Sequence, residues 1–357
     1  MEYANNKNHL NTETMILPVC LLFVIIATLF IFEPPYSKVN LPVILLIYIS
    51  MTAICAFRDI NMPDAENYIN DFTGFMVNGR FEIGYRVIRD IARLIGDNYQ
   101  ILFLVVGAVA LFIKFCAFVN IAPFIYGALL VYLSYFFTLH EMIQMRVGVA
   151  VGFMLFAIKY ITERDLLKFL IFASIATLFH TSTLIIFPLW FTPKIQINKL
   201  IWISLIPLSY IAVTLLGLTA GKIISHIPIG QVQLLYNGYL HSMSQGGHNI
   251  INIFNLLLIG KVAVCSFLIL FDDLIQEYFM PIKTWLMIYT LSLVIYIIFS
   301  DIPVVAIRVS ELLQTVEVIT IPSVVFTIKE QIIGKFIVII ISLIFLMGII
   351  YVNGYLI

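Results

Sequence analysis

The chain is built from long uncharged blocks, and these limit what it can fold into more than any other feature. Met15 to Phe32 runs eighteen residues without a charge, and Leu41 to Phe57, Leu200 to Ala220 and Phe336 to Tyr351 are of the same kind. A helix rises about 1.5 Å per residue, so about 20 such residues match the hydrocarbon thickness of a bilayer. In lipid every backbone amide must be satisfied within its own segment, which selects helices. Composition agrees: 62% of residues are apolar and 11% charged, against about 45–50% and 25% in soluble domains. The expectation is an all-α, polytopic membrane protein.

About 20 residues per span divides the chain into roughly twelve apolar segments. They lie near 15–32, 40–57, 99–119, 122–139, 143–161, 166–180, 182–192, 199–219, 250–270, 282–299, 311–328 and 335–355. The 166–192 stretch fits one long span or two short ones, with His180-Thr181-Ser182 at the break. Two hydrophilic stretches interrupt the pattern, at 58–98 and 221–249. No repeat, low-complexity tract or linker is visible, so residues 1–357 are expected to form a single integral membrane domain. The polar first fourteen residues lack the basic start of a signal peptide, so 15–32 reads as a retained span. The four cysteines all lie in apolar blocks without ligand spacing and read as small buried side chains.

Short basic loops favour the cytoplasm. Lys159, Arg164 and Lys168 mark one such loop, Lys194 and Lys199 another, Lys329 and Lys335 a third. Alternating the spans then puts Lys38 and Lys283 inside, and both long hydrophilic loops and both termini outside. Arginines 58, 80, 86, 89, 93, 146 and 308 map to the outer half, and Arg164 alone to the inner. Topology explains inner lysines but not outer arginines. The planar guanidinium fork suits phosphate and carboxylate groups, although pairing with nearby acids would also account for them. Formal net charge is zero, which gives no argument for nucleic acid.

Five clusters could carry chemistry. In the first, Pro63 suits the first turn of a helix, and a helix from there puts Asp64, Tyr68, Asp71 and Phe72 on one face. Carboxylates beside aromatic rings suit sugars; an exposed capping cluster would look the same. In the second, Phe81 to Gly96 has the spacing of an amphipathic surface helix. Glu82–Arg86 and Arg86–Asp90 are four apart, and Tyr85, Ile88, Ile91, Ala92 and Ile95 fall on the other side. The third is Arg146, with His140, Glu141 and Gln144 before it. A charge at that depth faces a cavity or a partner, either Glu141 or an acid on another helix. The fourth is His180, as a base, a donor or a satisfied structural group. The fifth runs from Asp301 to Glu311, with Arg308 entering the next span and Glu311 three residues on. His226, His241 and His248 show no metal spacing and read as loop residues.

Arg58, then Asp64-x3-Tyr68-x3-Phe72, then Glu82-x-Gly84-Tyr85, resembles the start of the EpsG family of Wzy-type polysaccharide polymerases. Met145-Arg146 opening a span, Phe179-His180-x-Ser182 with Pro188 after it, and Arg308 entering a late span are similar to the family's other landmarks. Two positions depart. Met62-Pro63 stand where the family often has glycine before its aspartate, and Val147 stands where glutamine often follows the arginine. The second removes an expected substrate amide contact.

The resemblance implies a GT-C-like glycosyltransferase of the bacterial inner membrane, acting on its outer face. Its substrates would be undecaprenyl-pyrophosphate-linked oligosaccharide repeats, joined into O-antigen, capsule or exopolysaccharide. Membrane lipid, a chain-length regulator and a flippase of the same pathway would be its partners. On that reading Arg58, Arg146 and Arg308 clamp the pyrophosphate. Asp64, Glu82 and His180 are general-base candidates. Tyr68, Phe72 and Tyr85 line the sugar path. No cofactor is expected, and catalysis is expected to be metal-independent. The rivals are a lipid-linked glycosyltransferase that adds one sugar and a transporter or flippase, which internal repeats and broken midplane helices would mark.

Overall fold

A computed structural model describes residues 2–75, 81–192, 198–225 and 251–352. The described residues are helical and hold no strand. Most of the second hydrophilic stretch, Arg80, Lys194 and the three loop histidines lie outside them. Among the described residues four helices are long and apolar enough to cross a membrane: Met15–Phe32, Tyr99–Ile121, Met145–Glu163 and Gln331–Tyr351. Seven further apolar helices among the described residues are shorter, from Leu41–Ala56 to Ile282–Ile298. Cys55 and Cys265 are buried, Cys20 and Cys116 half-buried.

The chain divides into two compact units. The first comprises Met1–Trp190 and Glu317–Ile357. Its helices are α1 (Glu2–Phe32), α2 (Leu41–Ala56), α3 (Ala65–Phe72), α4 (Ile83–Ile95), α5 (Tyr99–Ile121), α6 (Ile125–Val131), α7 (Met145–Glu163) and α8 (Leu166–Phe179), with Gln331–Met347 near the end of the chain. α5 packs on α2 and α7, and α7 on α8. After Phe179 the chain tightens into a three-residue-per-turn helix over Thr181–Phe191, so the 166–192 stretch breaks at His180 into two short pieces.

Charge sorts along α7. Nineteen residues give it a length of about 28 Å. Arg146 stands in its first turn. At its far end Lys159 meets Glu163 at 3.8 Å, and just beyond, at the start of α8, Lys168 meets the N-cap Asp165 at 2.8 Å. The N-terminus of α6 is capped from a distance: Glu33 accepts hydrogen bonds from the amides of Ile125 (2.6 Å), Tyr126 (3.0 Å) and Gly127 (3.3 Å). Lys335 donates to the carbonyls of Ile31 (2.9 Å) and Glu33 (2.6 Å) beside it. A carboxylate there satisfies amides that a helix start leaves without partners.

The second unit is Phe191–Val316. Lys199 and Lys283 lie 3.0 and 3.1 Å from Asp273, so these two lysines share one end of the unit. Lys261, buried within Leu256–Leu270, donates to Gln314 at 2.7 Å.

Candidate functional site

The site grows from how α3 and α4 are anchored in the first unit. Asp64 takes a left-handed conformation (φ 62°), so α3 starts at Ala65 and not at Pro63 as the sequence suggested. Aspartate tolerates that region better than most residues. Tyr68, Asp71 and Phe72 share the buried face of α3, while Asp64 is exposed and accepts from Asn67 at 3.2 Å. Tyr68, Phe81 and Tyr85 form an aromatic cluster with centroids 5.1 to 5.6 Å apart.

α4 packs on α5 and α8 through Tyr85, Ile88 and Ala92; Ile91 and Ile95, expected on the same face, are exposed. Its arginines turn back to α3. Arg89 Nη1 donates to both Asp71 oxygens at 3.0 and 3.1 Å, and Arg93 donates to the carbonyls of Asp71 and Phe72 at 2.6 and 2.9 Å. Gly84 allows the close approach to α8: a Cβ there would lie 2.9 Å from the Leu178 carbonyl and from the Phe179 ring.

That approach delivers Glu82. It stands at the N-cap of α4 but makes no capping bond with its side chain. Neither does it pair with Arg86, the partner suggested by spacing. One oxygen accepts from Arg146 Nη1. The other accepts from the Thr181 amide at 3.4 Å and lies 3.4 Å from His180 Nδ1, a long and poorly aligned contact. Burial opposes the charge, but His180 and Arg146 beside it hold the Glu82 carboxyl at about 2. Arg146 also reaches the Tyr68 hydroxyl at 3.4 Å and lies 4.6 Å over the Phe81 ring. A cation in the first turn of α7 opposes the helix dipole, and Glu82 offsets this. The acid partner of Arg146 therefore lies on another helix; Glu141 is engaged elsewhere.

Arg58 is placed by a helix that ends badly. α6 continues as wider π-helical turns over Tyr132–Phe136 and Thr138–Ile143, then breaks at Gln144 (φ −102°, ψ 61°). The last carbonyls of such a helix have no partner within it. Arg58 Nη1 supplies one, donating to the Glu141 carbonyl at 3.1 Å and the Met142 carbonyl at 2.7 Å. Its guanidinium stacks 3.7 Å over Phe103. Arg58 is only 4% exposed, yet its Nε and Nη2 are buried without a hydrogen-bond partner. The Tyr85 hydroxyl and both ring nitrogens of His140 are likewise buried and unpartnered.

Within the first unit the structure thus joins Glu82, Arg146 and Tyr68, brings His180 within 3.4 Å of Glu82, and sets the Tyr85 ring tilted against Tyr68. Asp64, Tyr68 and Tyr85 lie within electrostatic reach of Arg58. Phe72 is buried in the same core, under Arg93. Arg308 is exposed on the helix Pro303–Gln314 of the second unit.

The EpsG family model matches residues 41–356. The chain belongs to the EpsG family. This is a family of Wzy-like polysaccharide polymerase-type membrane proteins. No curated protein and no solved structure matches the chain.

Arg58, Tyr68, Glu82, Tyr85, Arg146 and His180, scattered over 123 residues of sequence, thus lie around one buried guanidinium group, Arg58, and one half-buried one, Arg146. Lys114, wholly buried in α5, forms an ion pair with Glu141 that no local spacing in the sequence marks. A lone lysine at position sixteen of a 23-residue apolar helix is the signal that could have found it.

Proposed function

We propose that this EpsG-family protein is a polymerase of lipid-linked polysaccharide repeats, working on the outer face of the bacterial inner membrane through roughly twelve spans of GT-C-like arrangement. The observation that carries the reading is Arg58: a buried guanidinium whose Nε and Nη2 lack acceptors calls for an anionic oxygen ligand. A pyrophosphate-linked glycan provides one, and the EpsG family's Wzy-like character supports that substrate class.

In the proposed reaction a hydroxyl of one lipid-linked repeat attacks the anomeric carbon of the chain held on undecaprenyl pyrophosphate. The bond from that carbon to the pyrophosphate oxygen breaks, and undecaprenyl pyrophosphate leaves with the electron pair. Negative charge grows on the leaving group, so fixed cations lower the barrier. Arg58 and Arg146 of the first unit fill that role. The hydroxyl proton passes to a base. A carboxyl held at about 2 accepts protons weakly at neutral pH, so Glu82 serves as the anchor of Arg146 and His180. A carboxylate facing Nδ1 leaves Nε2 as the ring nitrogen for proton transfer, which favours His180 as base, with Asp64 the alternative. Tyr68 and Tyr85 shape the wall of the sugar path, with Phe72 behind them.

A radiolabelled lipid-linked repeat incubated with purified protein tests this. Polymer ladders are expected. Addition of one sugar, or movement across a bilayer without a new bond, would overturn the polymerase reading.

A further inference from the structure

Two opposite charges sit beside Arg58 without using it. Lys114 and Glu141 pair with both side chains wholly buried. The Tyr132 hydroxyl donates to the second Glu141 oxygen. The Lys114 ammonium also donates to the Gly148 carbonyl. Gly148 presses α7 against the end of the π-helical turns, where a Cβ would meet the His140 carbonyl at 2.8 Å and Glu141 Oε1 at 3.1 Å. Lys114 therefore bridges the break at Gln144, holding the residue three before it and the residue four after it. Arg146 lies inside that bracket.

The bridge has an electrostatic consequence. Arg58 bonds the backbone carbonyl of Glu141 at 3.1 Å, and the Glu141 carboxylate belongs to that same residue. A buried guanidinium with two unpartnered nitrogens would ordinarily recruit the nearest carboxylate. Here both carboxylate oxygens are already taken, one by Lys114 and one by Tyr132.

We propose that Lys114 and Tyr132 sequester the Glu141 carboxylate so that Arg58 stays unpaired and open to an anionic ligand. Lys114 and Glu141 are then positioning residues for Arg58. This rests on the anion-binding role proposed for Arg58. Lys114→Met releases Glu141 to turn onto Arg58 and quench it. Lys114→Met/Glu141→Gln removes the competing carboxylate along with its counter-ion and reopens Arg58. The double change also avoids stranding one buried charge, which by itself is strongly destabilising.

The test measures binding of undecaprenyl pyrophosphate to the full-length protein in detergent by titration calorimetry. Lys114→Met should weaken binding at least about tenfold, the scale of one lost charge-assisted hydrogen bond. Lys114→Met/Glu141→Gln should bind within about threefold of the wild type. Dissociation constants read the folded fraction only, so a purely structural pair would lower protein yield in the single variant and leave its affinity unchanged. That result overturns the proposal, as does a double variant that binds tenfold more weakly, a criterion that holds even if the single variant fails to fold. A wild type that ignores the probe also overturns it. The predicted binding pattern without polymer ladders would instead remove the polymerase reading and leave this one standing.

Discussion

Arg146, in the first turn of α7, is bound to Glu82, sixty-four residues earlier at the start of α4. Their side chains are 22% and 13% exposed, so the pair is largely withdrawn from water while its edge stays reachable. Surface ion pairs contribute little, but this one aligns a guanidinium in a setting where orientation counts.

Arg146→Ala should therefore leave the protein in the membrane and reduce polymerisation by about 10²-fold, the usual effect of removing one preorganised charge-stabilising group. Surface polysaccharide from a complemented deletion strain would show single repeats. Long chains from this variant would exclude Arg146 from the reaction.

Arg58 should not be replaceable by lysine. One of its nitrogens already serves the Glu141 and Met142 carbonyls, and two others are unpartnered. An ammonium is a point charge on a flexible stem and cannot reproduce that fork. Arg58→Lys is expected to lose activity almost as fully as Arg58→Ala, about 10²-fold, at matched membrane protein level by immunoblot.

Glu82 sets an acid limit on stability. Its folded value of about 2 lies below the ordinary 4.5, so the folded state favours the ionised form. That contribution is complete above about pH 4.5 and is lost as pH falls toward 2. Melting temperature in detergent should be insensitive to Glu82 from pH 5 to 8 and fall below about pH 4. Glu82→Gln should lower it at pH 7 and flatten the acid limb. Any pH dependence of polymerisation between 5 and 8 belongs to another group.

Gly84→Ala tests whether close packing delivers Glu82. The added methyl would meet the Leu178 carbonyl and the Phe179 ring at 2.9 Å, and backbone yields little. Overpacking of this kind costs about 1–3 kcal/mol. Thermal unfolding should show that loss together with reduced polymerisation, because α4 must retreat from α8 and take Glu82 away from His180.

The helical membrane character was legible in the uncharged blocks alone, because runs of this length leave the backbone no other economical arrangement in lipid. The break at His180 was also legible, from the polar residues that interrupt an apolar run, as was Arg146 as a charge in need of a partner. The identity of that partner was not. Spacing rules relate residues three or four apart on one helix, and they offered Arg86 for Glu82; for Arg146 they left Glu141, close in sequence, and an acid on another helix both open. Tertiary packing decided both. Gly84 lets α4 close on α8, which carries Glu82 to Arg146, while Gly148 and Lys114 hold the broken helix that engages Glu141 and leaves two nitrogens of Arg58 without a partner. Such contacts depend on which helix faces meet, and no local periodicity records that.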